Sequence, residues 1–229
     1  LRNSKKVKII HLTRKFDIKK LGGIEEGIYQ LSKISPDRFE NIIYACGDKN
    51  FTFEYEKLRI KIFKTNFILF NSAFSFSLLK DLISNFKYID IIHLHSPWPT
   101  IEIICKFFIK NILILTYHAD ITKTYFIKFF YLIFFKQFIN SDSIKLINIS
   151  TKKYFLESDL KKLLQDKKKI NFQGMGIDDL TKINLNNRLI SKRIINFYNS
   201  KKKVCLFFGR ERHYKGFKTM EYLLKSNSN

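Results

Sequence analysis

The chain has 229 residues, 45% hydrophobic and 27% charged, which excludes global disorder and, at roughly 150 residues per domain, predicts one to two domains. Forty-two Lys and Arg against 20 Asp and Glu leave a net charge of +22, a balance that suits nucleic acid, an anionic membrane surface or a phosphorylated substrate. The abundance of Lys, Asn, Ile and Phe, residues of A/T-rich codons, is a competing source of the same charge.

Short runs rich in Ile, Val, Leu and Phe recur along the chain: Val7 to Thr13, Asn41 to Ala45, Ile60 to Lys64, Ile89 to His95, Ile112 to Tyr117, Lys145 to Ile149 and Lys169 to Phe172. Continuous apolar runs of this length, without alternation, read as strands buried on both faces of a parallel sheet. Helical patterns fall between them at Ile24 to Ile34, Phe76 to Phe86, Ile101 to Ile109, Thr124 to Phe138 and Lys152 to Leu164. Strand and helix in alternation predict an α/β fold, a Rossmann-like parallel sheet with helices on both faces. That domain is expected over 1–178, an interdomain linker over 179–203, and the first strand and helix of a second Rossmann-like domain over 204–229.

Cys46, Cys105 and Cys205 lie far apart, without metal-ligand spacing, and their odd number argues against a disulfide framework. The basic, polar start from Leu1 to Lys6 predicts no signal-peptide core. The most apolar stretch, Tyr125 to Ile139, is interrupted by Lys128 and Lys136 and falls short of the ~20 residues of a spanning helix. A cytoplasmic protein is expected.

Ligands of open α/β sheets collect at the carboxyl ends of the strands. After the first strand, Gly22 and Gly23 open a helix; they allow a close approach of phosphate to the helix N-terminus, and equally they suit a plain tight turn. The fourth strand ends in "IIHLHSPW", which puts His93 and His95 on one face. With no carboxylate or third ligand near in sequence, a metal is not expected there. The fifth ends in "LTYHADI", where His118 and Asp120 could bond a sugar hydroxyl or cap the strand. In "FFGRERHYKG", Arg210 and Lys215 bracket a loop suited to a diphosphate, with a solvated basic loop as the competing reading.

Taken in order, "KIIHLTRKFDIKKLGGIEEGIYQLSK", "IDIIHLHSPWP", "LTYHADITKT", "INISTKKYFLES", "INFQGMGID" and "LFFGRERHYKGFKTM" resemble glycosyltransferase family 4 of the GT-B fold over nearly the whole chain. The resemblance implies a retaining hexosyltransferase-type enzyme. It would move a sugar from a nucleotide-sugar donor to a glycan or lipid-linked acceptor in polysaccharide or envelope-glycan synthesis. It implies that His118 lies beside the transferred sugar, with Asp120 in the same motif. Gly22 and Gly23 approach the donor phosphate, and Arg210 and Lys215 neutralise the departing diphosphate. No cofactor and no metal are expected.

The family's acidic pair, two Glu at a fixed spacing beyond the "GRxxxxKG" segment, does not occur in these 229 residues. The resemblance therefore predicts that this polypeptide alone is inactive, whether it is a truncated product, half of a split gene or a fragment. The competing class is a basic α/β module that binds an anionic membrane or nucleic acid without chemistry. Nucleic acid is not expected, because no recognition module is present. The Thr124 to Phe138 segment mixes aromatic and basic residues, the composition of a peripheral membrane segment; core packing is the other reading of the same phenylalanines.

Overall fold

The computed structural model describes residues 6–69, 72–121, 125–174 and 216–226. The chain divides into two compact units, Leu1–Asp178 and Asp179–Asn229. In the first, β1 (Val7–Thr13) leads into α1 (Gly23–Lys33), followed by β2 (Phe39–Gly47), β3 (Phe51–Tyr55), β4 (Leu58–Lys64), β5 (Phe67–Leu69), β6 (Ser72–Phe74) and α2 (Phe76–Asn85). Then come β7 (Ile91–Ser96), α3 (Pro99–Phe108), β8 (Ile112–Tyr117), α4 (Tyr125–Ile139), β9 (Ile144–Ile149), α5 (Lys152–Glu157), α6 (Asp159–Leu163) and β10 (Ile170–Phe172). In the second unit the described element is α7 (Phe217–Ser226), preceded by Gly216 at φ 73°, a left-handed conformation that suits glycine. The expected linker, the expected strand Val204 to Phe208, and Arg210 and Lys215 lie outside the described residues.

Eight strands form one sheet in the order β10-β9-β8-β7-β1-β2-β4-β3. Every pairing is parallel except that of β3 with β4. The chain builds outward from β1 through β2 and β4, then returns past β1 to lay down β7 and continue the other way. The reversal sets a topological switch point between β1 and β7, where open α/β sheets bind ligands at the strands' carboxyl ends. This is the expected Rossmann-like α/β architecture.

Strand alternation divides the core between the two faces. Ile10, Leu12, Ile92, Leu94, Leu113, Leu115 and Tyr117 pack on one face with Leu78, Leu82, Ile101, Phe135 and Phe138 from α2, α3 and α4. On the other face Ile43, Ala45, Ile60 and Ile62 pack with Ile28 of α1. Both sides of β2 are therefore buried, which is why its sequence reads as an unbroken apolar run.

Two features depart from the sequence expectation. β3 is an antiparallel edge strand, joined to β4 through Glu56 and Lys57, with Glu56 at φ 51°. The helix expected from Lys152 to Leu164 is two helices, because Ser158 is extended (φ −80°, ψ 159°) and the Asp159 amide donates to Asp120 Oδ1 at 3.1 Å. In α4 the buried stripe is Tyr131, Phe135, Phe138 and Ile139, whereas Phe126, Phe129, Phe130 and Ile133 are exposed. That helix is apolar on both sides, so core packing accounts for only one of its faces. Among the described residues no helix is long and apolar enough to cross a membrane.

Candidate functional site

The loops at the carboxyl ends of β1, β7 and β8 bring the sequence-predicted residues of this unit to one edge of the sheet. Gly22 is the N-cap of α1, with extended backbone and no side-chain cap, and its carbonyl accepts from the Glu26 amide at 2.8 Å. A Cβ added at Gly23 would meet nothing within 4 Å, so internal crowding does not demand glycine there. A bare helix start with open space beside it can be approached closely by an anion.

His118 follows the last residue of β8. Its amide donates to the Ser96 carbonyl at 3.0 Å, and its ring Nε2 lies 3.0 Å from His95 Nδ1. Burial, with the Arg14 charge as a second cause, lowers its pKa to about 4. A neutral imidazole at pH 7 can accept or donate a hydrogen bond to a hydroxyl, as a sugar contact requires.

Asp120 is held by its neighbours. Its Oδ1 accepts from the Tyr117 hydroxyl at 2.5 Å and from the Asp159 amide at 3.1 Å. These bonds tie the β8 loop to the start of α6, and burial followed by the Asp120 contact pushes the Tyr117 hydroxyl pKa upward. Asp120 is thus a brace for the segment that carries His118.

The fold adds residues that local spacing does not reveal. His11 of β1 is the register partner of His93 of β7, and both lie with His95 on the face of the sheet opposite Ile10, Leu12, Ile92 and Leu94. All three rings are buried. Asn41 Oδ1 is 3.1 Å from His11 Nε2, and Thr116 Oγ1 is 2.7 Å from His93 Nε2. His93 and His95 do have a third histidine beside them, then, supplied by a strand more than eighty residues earlier. The signal was present as "IIHLT" and "IIHLH", two apolar strands each interrupted by histidine, but it becomes visible only once the strands are placed side by side.

Glu102, in the first turn of α3, is likewise absent from the sequence reading. It is fully buried behind the end of β7, where its Oε1 accepts from Ser96 Oγ at 2.7 Å and from the Trp98 amide at 2.9 Å. Burial raises its pKa despite these bonds. Glu102 thereby fixes the turn through the cis Ser96–Pro97 peptide, next to the strand end that contacts His118.

Two clefts among the described residues lie elsewhere. One, of about 420 Å³, includes Asn50, Lys61 and Asp81, and the other, of about 370 Å³, includes Pro36, Glu40 and Arg59. Neither is lined by Gly22, Gly23 or His118. Strand-end geometry and not cavity size therefore locates the candidate site.

No family model matches the chain, and no curated protein matches it. Among solved structures, a sucrose-phosphate synthase structure from Thermosynechococcus elongatus is similar at a TM-score of 0.46 and 12% identity, over 84% of this chain and 98% of that one. A likeness this distant settles neither family nor activity.

Proposed function

We propose that this chain is the acceptor-side part of a nucleotide-sugar-dependent glycosyltransferase, of hexosyltransferase type, acting on a glycan or lipid-linked acceptor with retention at the anomeric carbon. The observation that carries the reading is that an uncapped glycine helix start and a neutral His118 both follow strand carboxyl ends on the two sides of β7, at the switch point of the sheet. The ordered family 4-like segments supply the activity to attach to that edge. In this reading His118 bonds a hydroxyl of the transferred sugar, Asp120 keeps the His118 loop in place, and the Gly22-Gly23 start of α1 faces donor phosphate and acceptor. Arg210 and Lys215 offset the charge of the leaving diphosphate, which accumulates as the glycosidic bond breaks.

Acceptor binding is the direct test. The chain is to be titrated with glycan and lipid-linked acceptors by saturation-transfer NMR, alongside a panel of UDP, GDP and ADP sugars. Acceptor signals in the parent chain, together with donor-sugar signals that disappear in His118→Ala, support the proposal. An absence of carbohydrate signals, together with binding to random-sequence DNA that weakens steeply as salt rises, would replace it with a basic module that performs no chemistry.

A further inference from the structure

We propose that His11, His93 and His95 form a binding site for a divalent first-row transition ion of the Zn2+ class, set on the sheet face at the junction of β1 and β7. One ring nitrogen from each lies within 4.8 Å of the other two. The ring centroids of His93 and His95 are 4.4 Å apart, and those of His11 and His93 are 5.1 Å apart. A tetrahedral zinc with bonds of ~2.0–2.1 Å holds its nitrogens about 3.3 Å from one another. The 4.8 Å limit exceeds this spacing by about 1.5 Å, and the His11 and His95 centroids are 6.0 Å apart, so an ion is held once side-chain torsions bring the rings inward.

Hydrogen bonding prepares the three rings as ligands. Asn41 Oδ1 accepts from His11 Nε2, which leaves Nδ1 of that ring as a lone pair; this nitrogen is buried and has no partner among the described residues. When His95 Nδ1 donates to His118 Nε2, its Nε2 becomes a lone pair, and that nitrogen too is buried without a partner. With His93 Nε2 donating to Thr116 Oγ1, Nδ1 of His93 is left for a ligand. Each ring thus has one nitrogen engaged by an outer group and one available, the arrangement that orients metal-bound imidazoles. Structural histidines in a core normally satisfy both nitrogens.

Burial keeps the rings neutral: the His11 pKa falls to about 4, and those of His93 and His95 fall well below the usual histidine value. No proton has to leave when an ion binds near pH 7. Three imidazoles without a carboxylate favour zinc, nickel or copper over magnesium or calcium. Beside the cluster, on the same face of β8, Ile112 is exposed and Ile114 and Thr116 are half-buried. With three protein ligands the fourth position falls to water or another external group.

The test uses the full, tag-free chain stripped with EDTA, and needs neither sugar donor nor acceptor, so its outcome is separate from that of the transferase proposal. Calorimetry is expected to show one Zn2+ per chain, Co2+ to give the intense visible bands of a four-coordinate site, and Mg2+ to give no response. Thr116→Val keeps all three ligands but removes an orienting bond, and is expected to weaken Zn2+ binding 10- to 100-fold. His93→Gln is expected to abolish stoichiometric binding, whereas His213→Ala, which removes a histidine outside the cluster, binds as the parent does. If His93→Gln fails to fold, Thr116→Val decides the matter. Absence of Zn2+ binding, or equal affinity in the parent and Thr116→Val, overturns the site.

Discussion

His95 Nδ1 and His118 Nε2 lie 3.0 Å apart, so the end of β7 and the loop after β8 are joined through two imidazoles. His118, singled out by the sequence, is the outer member of a group whose inner members are His95, His93 and His11.

The metal-free protein is expected to lose stability as pH falls from 6.5 toward 4. The folded-state pKa of His11 and of His118 is lowered to about 4 from 6.5, so below 6.5 the unfolded chain takes up protons that the folded chain refuses. Stability from these groups is complete above 6.5 and is lost as pH falls through the folded values. Each histidine that stays neutral gives a slope of up to about 1.4 kcal/mol per pH unit. Urea midpoints measured at pH 7.5, 6, 5 and 4.5 in EDTA check this, and a flat profile over that range contradicts it.

Asp120→Ala is expected to destabilise the 1–178 unit by about 2–4 kcal/mol, since it removes a charged acceptor from the Tyr117 hydroxyl and the Asp159 amide. Asp120→Asn keeps an oxygen acceptor for both donors and should recover at least half of that loss. Paired urea melts measure the difference. Equal losses in the two variants would show that the charge of Asp120, and not its acceptor geometry, is what matters.

Glu102 gives the opposite pH signature to the histidines. Burial raises its folded pKa above the unfolded value, so its favourable contribution is present below the unfolded pKa and is lost as pH rises through the folded one. Glu102→Gln resembles the protonated acid and keeps an acceptor for Ser96 and Trp98. It is expected to raise the denaturation midpoint at pH 8 and leave it nearly unchanged at pH 4. Glu102→Ala opens a cavity and leaves both donors unpaired, a loss of about 2–5 kcal/mol at either pH. A midpoint at pH 8 that is lower for Glu102→Gln than for the parent rejects the assignment.

The parallel sheet was legible because strands covered on both faces show continuous apolar runs, as β2 and β7 do. The edge strand β3 was not: Phe51 to Tyr55 alternates, most of it is exposed, and its turn at Glu56 and Lys57 lacks the Gly or Asn that usually announces a hairpin. The break at Ser158 was hidden for a different reason, since the helical periodicity continues across it and the interruption comes from a bond to Asp120, 39 positions away. At the site, His118, Asp120 and the glycine pair stood out because each ends a strand or begins a helix. His11, Asn41, Thr116 and Glu102 act through residues brought beside them by the sheet or by a tight turn, which local spacing does not encode.

The exposed side of α4 is a second apolar face. A core-facing helix needs one apolar stripe, and Tyr131, Phe135, Phe138 and Ile139 provide it. Phe126, Phe129, Phe130 and Ile133 form a second stripe with exposures of 74, 60, 56 and 48%, and Ile103, Phe107 and Phe108 of the contacting helix α3 are exposed as well. We propose that this face inserts at a membrane surface, where a lipid-linked acceptor would be met. Charge is expected to assist insertion, but Lys128 is engaged by Asp159 at 2.6 Å. Reversing Lys128 would break that pair and confuse lost membrane binding with lost folding. The informative variants are Phe126→Ser with Phe130→Ser, which touch the exposed stripe alone, and Lys136→Glu. Flotation with anionic vesicles should carry the parent protein upward, the double Phe variant should remain at the bottom, and Lys136→Glu should fall between them. Recovery of the double variant with the vesicles at the parent's level would place membrane contact elsewhere, and equal flotation of the parent with neutral vesicles would remove charge from the account.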